Sequence, residues 1–106
     1  MILSKNKKTM KNRTYVVYLL SNSRHTVLYC GITSDLVTRI WQHKCKMYKG
    51  FTQKYKVTEL LYFEKFEYVT DAINREKQIK GMSKQKKWAM IDNLNKGRQD
   101  LFRLIL

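Results

Sequence analysis

Two short runs of β-branched and aromatic residues, separated by polar residues, constrain the fold of this chain more than any other feature. The first run covers residues 15–20 and the second covers residues 27–32. Because such residues favour strands and the connection is short, the pattern predicts a β-hairpin. Tyr18 falls on its first strand and Tyr29 on its second. Gly31 either leaves the backbone open to an approaching ligand or marks a bulge or a strand end.

A helix is predicted directly after the hairpin. Residues 33–35 read Thr-Ser-Asp, whose side-chain oxygens cap the first amides of a helix. Arg39 lies beside the apolar stripe of this helix and His43 follows one turn later, so the two share a face. The stripe itself is predicted to comprise Leu36, Val37, Ile40, Trp41 and His43.

The second half of the chain predicts one more strand and two more helices. Residues 59–66 alternate and are rich in Leu, Tyr and Phe, which is typical of a strand. Residues 69–80 form a helix that ends before Gly81, and Ser83 caps a last helix over residues 84–95. The apolar face of the last helix is predicted to consist of Trp88, Ile91 and Leu94.

The remaining segments are assigned by composition. Residues 46–57 are basic and irregular, so we expect a connection with at most a short helical turn. The apolar residues 101–106 are expected to pack on the domain or on another subunit. Residues 1–13 lack an apolar period and are expected to be a flexible basic arm, which either contacts a partner or is only solvated. Residues 14–106 then form a single domain of the α/β class, of the α+β type.

The charge of the chain points to nucleic acid. Lys and Arg number 22 against 8 Asp and Glu, for a net charge of +14. A small, strongly basic domain most often binds nucleic acid, and an anionic membrane surface is the less favoured alternative. Phe51, Tyr55 and Trp88 are candidates for stacking on bases, with core packing favoured for Trp88. The candidate phosphate contacts are Lys44, Lys54, Lys77, Lys80 and Lys84.

Cysteine usage and hydropathy indicate the compartment. Cys30 and Cys45 are the two cysteines and form no Cys-x-x-Cys pair. We therefore expect reduced thiols in a cytoplasmic protein. No run of apolar residues approaches the length of a membrane span, so no membrane-spanning segment is predicted, and the expected partner is nucleic acid and not a membrane.

Glu76 is the only acidic residue on an apolar helical stripe. It follows Ala72 by four residues and precedes Ile79 by three, which places its carboxylate on the inward face. Such a group must be paired or must bind a cation. One interpretation is a buried salt bridge to Arg39 or Lys80. The other is a ligand for Mg²⁺ or Mn²⁺ that faces a phosphate.

These residues together resemble the GIY-YIG endonuclease superfamily. The resemblance rests on Val16-Val17-Tyr18, on Tyr29-Cys30-Gly31, and on Arg39, His43 and Glu76, and it spans residues 14 to 101. Within the superfamily the chain is most similar to small stand-alone bacterial members, which are related to the N-terminal nuclease domain found in the DNA repair enzyme excinuclease ABC. The resemblance implies a three-stranded antiparallel sheet flanked by helices, and cleavage of phosphodiester bonds with one divalent metal ion.

The resemblance also implies a role for each residue. Glu76 matches the metal-binding glutamate, and Tyr18 matches the tyrosine that activates the attacking water. Tyr29 matches the assisting tyrosine, Arg39 the arginine that stabilises the pentavalent phosphate, and His43 a histidine of more variable role. The leading hypothesis is thus a metal-dependent endonuclease that acts on DNA. The alternatives are a nucleic-acid-binding module without catalysis, and a structural interaction protein that uses its apolar C-terminus.

Overall fold

The computed structural model describes residues 14–45 and 50–106 of the chain. The predicted basic arm, residues 1–13, lies outside the described residues, and so do residues 46–49. The side chain of Phe51 is likewise outside them, so its predicted stacking role stays a prediction.

Three strands form one antiparallel sheet. Strand β1 covers Tyr15–Ser21, β2 covers Leu28–Thr33 and β3 covers Glu59–Phe66. Their order is β2-β1-β3, so β1 is central and β2 is an edge strand. The predicted three-stranded antiparallel sheet is confirmed. In the register of the hairpin, Tyr18 lies opposite Gly31.

Five helices surround the sheet within the described ranges: α1 (Leu36–Lys44), α2 (Phe51–Lys54), α3 (Val69–Lys80), α4 (Lys84–Leu94) and α5 (Phe102–Ile105). The side-chain caps predicted for the helix after the hairpin and for the last predicted helix are present. The Asp35 carboxylate accepts the Thr38 amide at the start of α1, and the Ser83 hydroxyl accepts the Lys86 amide at the start of α4. None of these helices combines the length and the apolar character needed to span a membrane.

Each face of the sheet carries its own core, because side chains alternate between faces along a strand. On one face, α3 and α4 pack against the sheet. The buried residues there are Val17, Leu19, Cys30, Leu61, Tyr62, Ala72, Ile79 and Ile91. On the other face, α1 and the C-terminal segment pack against the sheet. The buried residues there are Val16, Tyr18, Leu20, Leu36, Ile40, Val57 and Leu60.

Three residues predicted to be buried on helices are exposed. Trp41 is 56% exposed and Val37 also faces outward, so the predicted stripe of α1 was too wide. Leu94 is 62% exposed at the end of α4, so the predicted apolar face of that helix was also too wide. Within the C-terminal segment Phe102 and Ile105 pack against the core as predicted, whereas Leu104 and Leu106 are exposed.

A partly buried ion pair holds α3 on the sheet. The Arg75 guanidinium donates to both carboxylate oxygens of Glu64 on β3, through Nε at 3.0 Å and through a terminal nitrogen at 2.8 Å. Tyr62 donates its hydroxyl proton to the same carboxylate. Burial alone would raise the pKa of Glu64, but the hydrogen bonds from Arg75 and Tyr62 outweigh it and keep that pKa lowered. This contact fixes the helix that carries Glu76.

Candidate active site

Three aromatic side chains converge between the hairpin and α1. The ring centroid of Tyr18 lies 6.4 Å from that of Tyr29 and 6.1 Å from that of His43, and Tyr29 lies 5.7 Å from His43. The Tyr18 hydroxyl is 3.4 Å from His43 Nε2. The structure therefore brings together two tyrosines and a histidine that are far apart in the sequence.

Gly31 is required by the packing of this cluster. A Cβ atom at Gly31 would lie 2.4 Å from the Tyr18 hydroxyl oxygen, far inside contact distance. The cross-strand register explains this, because Tyr18 and Gly31 are direct partners in the hairpin. The phenol occupies the space that a larger residue would need. The register between β1 and β2 has no shift at Gly31 and β2 continues to Thr33, so the interpretation as a bulge or strand end is wrong. The interpretation as an opening for a ligand stays a prediction.

His43 is kept neutral by its surroundings. Burial, the larger cause, and the positive charge of Arg39 together lower its pKa from 6.5 to about 4. At neutral pH the ring therefore carries no charge, and one of its nitrogens is an acceptor. When the ring proton is at Nδ1, Nε2 accepts the Tyr18 hydroxyl proton. Arg39 thus lies close enough to His43 to belong to the same site.

The members of the cluster differ in their access to solvent. Tyr18 is fully buried, at 0% exposure, and His43 is also buried. Tyr29 and Arg39 are partly exposed. A phosphate that approaches this face therefore meets Tyr29 and Arg39 first, while Tyr18 and His43 lie behind them.

Glu76 lies near β2, the edge strand that carries Tyr29, on the opposite face of the sheet from the aromatic cluster. Its helix, α3, packs on the face that holds Cys30, and the Glu76 charge contributes to the raised pKa of the Cys30 thiol. The carboxylate is 16% exposed and pairs with Lys80 at 3.2 Å. Because Cys30 lies between Tyr29 and Gly31 on β2, the aromatic cluster and Glu76 flank one stretch of the sheet edge. The predicted salt bridge to Lys80 is present.

The carboxylate of Glu76 at the β2 edge is chemically suited to bind a hard cation. Mg²⁺ commonly uses one or two protein carboxylates and takes its other ligands from water and substrate phosphate. Glu76 provides one such carboxylate, only partly exposed and already held next to a cation, the Lys80 ammonium. Within residues 14–45 and 50–106 no three His, Cys, Asp or Glu side chains come together. A metal bound here would therefore rely on Glu76 together with water and the substrate.

The predicted phosphate contacts divide into two groups. Lys44 turns inward: its ammonium donates to the Thr58 carbonyl at 3.0 Å and pairs with Asp100. This gives Lys44 a structural role, and we omit it from the proposed binding surface. The others are exposed on the surface: Lys54, Lys77, Lys80 and Lys84.

Two residues near β2 that were not predicted as phosphate contacts join Lys84. Lys84 donates to the Thr26 carbonyl at 2.6 Å, just before β2 begins. Together with Lys87 and Tyr55 it lines a groove at residues 26–28. The sequence indicated Tyr55 only as a possible stacking residue, and nothing local distinguishes Lys87 from the neighbouring lysines.

Trp88 is packed, as its favoured interpretation predicted. The guanidinium carbon of Arg98 lies 4.2 Å from the centre of the indole ring, and the ring of His25 lies 5.9 Å away. Arg98 is in turn held by the Asp92 carboxylate at 2.7 Å. The indole is therefore used inside the protein, and we do not propose it for base stacking.

Comparisons with known proteins agree with this geometry. Residues 14–89 match the GIY-YIG catalytic domain. A UPF0213 protein of Staphylococcus haemolyticus is 33% identical over 82 residues, which is 77% of this chain and 95% of that protein. A UPF0213 protein of Natronomonas pharaonis is 31% identical over 77 residues, 73% of this chain and 89% of that protein.

A solved structure shows the same fold. The solution NMR structure of a UPF0213 protein from Bacillus halodurans superposes with a TM-score of 0.54 at 22% identity, covering 86% of this chain and 96% of that one. The resemblance identified from the tyrosine motifs is thereby confirmed, and so is the fold that it implied. The chain belongs to the GIY-YIG family, as a small member similar to the UPF0213 proteins.

Proposed function

We propose that this protein is a metal-dependent endonuclease that hydrolyses phosphodiester bonds in DNA. The observation that carries the proposal is the convergence of Tyr18, Tyr29, Arg39 and His43 beside the stretch of β2 that Glu76 flanks from the other face. The net charge of +14 supports a polyanionic substrate. Nuclease activity is also what the GIY-YIG family leads us to expect.

Arg39 and Tyr29 are the groups that we assign to the phosphate. Both are partly exposed, and the planar guanidinium donates paired hydrogen bonds to phosphate oxygens. Negative charge develops on these oxygens as the phosphorus becomes pentavalent. Donors that are already fixed in place stabilise that charge without reorganisation.

Tyr18 and His43 are the groups that we assign to the proton. The attacking water gives a proton to the Tyr18 oxygen while the Tyr18 proton passes to the neutral Nε2 of His43. The water oxygen then bonds to phosphorus, and the bond from phosphorus to the leaving oxygen breaks with its electron pair on that oxygen, which takes up a proton from solvent. Because Tyr18 is buried, this step requires that the substrate-bound state admit one water next to its hydroxyl.

Glu76 is the residue that would hold the divalent cation, Mg²⁺ or Mn²⁺. A bound cation would neutralise charge on the phosphate and the leaving oxygen. Lys80 pairs with the same carboxylate, and it can turn outward because its side chain is largely exposed. The carboxylate is then available for the cation.

A nicking assay tests the proposal. Labelled single-stranded and branched DNA are incubated with the protein and Mg²⁺ or Mn²⁺, and with EDTA in parallel. We expect metal-dependent cleavage that Glu76→Gln and Arg39→Met each reduce by at least about 100-fold, the order expected for loss of one charge-stabilising group. Glu67→Gln is the matched control, because Glu67 is exposed and precedes α3. Equal cleavage by wild type and Glu76→Gln would refute the assignment of this site.

The second candidate is a nucleic-acid-binding module without catalysis. The full burial of Tyr18 and the ion pair of Glu76 with Lys80 favour it, since both groups are satisfied inside the protein. It predicts binding that survives Glu76→Gln and Arg39→Met, with no cutting in any metal. The same nicking assay, combined with a binding titration in EDTA, separates the two candidates.

A further inference from the structure

A row of lysines follows the exposed edge of the sheet. Lys80, Lys84 and Lys87 lie on α3 and α4 beside β2, and we call them the β2 lysine row. Lys80 lies beside Glu76, at a salt-bridge distance of 3.2 Å. Lys84 lies at the other end, at the Thr26 carbonyl. The row therefore leads from the proposed metal ligand to the start of β2.

The effect of the lysines on the pKa of Cys30 indicates where the middle of the β2 lysine row lies. Burial is the main cause that raises the pKa of this thiol to about 11, and Glu76 raises it further, while Lys80 and Lys87 oppose the rise. All three charges are therefore close to the centre of β2. Lys87 also lines the groove at residues 26–28 together with Lys84, which makes the row continuous.

An aromatic side chain also lines that groove. Tyr55 follows α2, is 42% exposed and lines the groove together with Lys84 and Lys87. The Lys54 ammonium lies 5.4 Å from the centre of the Tyr55 ring and adds positive charge there. A groove lined by cations and by an exposed phenol ring has the composition of a single-strand binding site.

We propose that this groove, which we call the β2 groove, binds an unpaired nucleotide next to the cleavage site. The base stacks on Tyr55, and Lys84 and Lys87 hold the phosphate. The proposal rests on the proposed function and specifies its substrate as single-stranded nucleic acid. Stacking on a side chain requires a free base face, which a base inside a continuous duplex does not offer.

The position of the groove fits a substrate that continues into the active site. The groove is lined by residues 26–28, and Tyr29 is the next residue of the same strand. Three residues of even fully extended chain, at about 3.3 Å each, separate Thr26 from Tyr29 by at most about 10 Å, a distance that a short stretch of single strand can bridge. The nucleotide on Tyr55 is thus expected near the scissile phosphate, without occupying its place.

Binding without cleavage is the direct test. Fluorescence anisotropy in EDTA measures the affinity of the full chain for oligothymidine of roughly ten nucleotides, for oligouridine, and for a duplex of equal length. We expect Tyr55→Leu to weaken oligothymidine binding by at least about fivefold, and Tyr55→Phe to retain it, since the phenyl ring still stacks. Duplex affinity should change by less than about twofold in both variants. Comparing oligothymidine with oligouridine distinguishes DNA from RNA as the source of the stacked base.

Trp41→Leu is the matched control. Trp41 is an exposed aromatic residue on α1, stacked on Phe102 and outside the β2 groove, so its loss should leave oligothymidine affinity unchanged. Because the assay contains no metal, failure of the endonuclease proposal leaves this result readable. Unchanged binding by Tyr55→Leu would overturn the β2 groove proposal, and so would an equal loss for duplex and single strand, even if the protein cuts DNA.

Discussion

The packing of one phenol against one glycine is the tightest constraint at the scale of single residues. Gly31 faces the fully buried Tyr18, and its missing side chain is what lets the hydroxyl reach toward His43. No helix or strand propensity requires a glycine here. The family motif Tyr29-Cys30-Gly31 therefore has a packing explanation in addition to any catalytic one.

Gly31→Ala tests this explanation. The added Cβ would lie 2.4 Å from the Tyr18 oxygen and 2.5 Å from its ring carbon, so the ring must shift within a closed core. We expect a loss of about 1–3 kcal/mol in the free energy of unfolding, measured by urea denaturation, which is typical of overpacking.

Gly81→Ala is the control for Gly31→Ala. Gly81 has φ −80° and its nearest atoms to an added Cβ are 3.5 Å away, so alanine fits there without strain. A variant Gly31→Ala that is as stable as Gly81→Ala would contradict the packing explanation.

The pH dependence of stability provides a second test at this scale. In the folded state the pKa of His43 is lowered to about 4 from 6.5, mainly by burial. The unfolded chain therefore binds this proton more readily than the folded protein does. The stabilisation is fully present above about pH 6.5 and is lost as the pH falls toward 4. At 1.36 kcal/mol per pKa unit, we expect a loss of about 3 kcal/mol.

The measurement compares urea denaturation of wild type and His43→Gln between pH 7 and pH 4. Only the difference between the two curves reports His43, because carboxylates titrate in the lower part of this range in both proteins. Parallel curves for wild type and His43→Gln would show that His43 does not titrate in this way.

At the scale of elements, one carboxylate fastens the C-terminal segment to both the sheet and α1. Asp100 accepts the Leu60 amide of β3 and the Phe102 amide that begins α5, each at 3.1 Å, and its other oxygen pairs with Lys44 at the end of α1. Leu101 adds a backbone bond of 2.7 Å to the Leu60 carbonyl. Because Lys44 directly follows His43, this connection also helps to hold the helix of the active site.

Two substitutions at Asp100 separate its contacts. Asp100→Asn keeps an oxygen for the two amides and loses the ion pair, whereas Asp100→Ala loses both. We expect a cost of about 0.5 kcal/mol for Asn and about 1–2 kcal/mol for Ala in urea denaturation. The exchange of the Leu60 amide proton should accelerate in Asp100→Ala and remain slow in Asp100→Asn. Equal exchange in the two variants would mean that the carboxylate oxygen does not hold this amide.

The elements themselves were largely predictable from local sequence. Strand β3 and helix α3 begin and end at the predicted residues, because the alternation of 59–66 and the spacing of 69–80 are local signals. The Tyr18–His43 contact could be predicted only through the family resemblance, since it depends on the packing of α1 on the sheet. The inward turn of Lys44 was not predictable, because its partner Asp100 is 56 residues away.

At the scale of the whole molecule, the charge is organised around one sheet edge. Residues 77–87 contain five lysines and no acidic residue, and they connect α3 to α4 beside β2. Strand β3 forms the opposite edge of the sheet, where Lys65 is exposed and Glu64 and Glu67 lie close in the sequence. This asymmetry predicts that phosphates approach the β2 edge.

The salt dependence of binding tests where the phosphates lie. Each lysine that neutralises one phosphate releases counterions, so its removal lowers the slope of log affinity against log salt by about one at most. We expect Lys84→Gln combined with Lys87→Gln to lower that slope by one to two, roughly, for oligothymidine in EDTA. Lys65→Gln combined with Lys96→Gln removes the same total charge from exposed positions outside the β2 lysine row and should leave the slope nearly unchanged. Equal reductions of the slope by the two double variants would mean that affinity depends on the net charge of the molecule and that the phosphates do not bind specifically at the β2 edge.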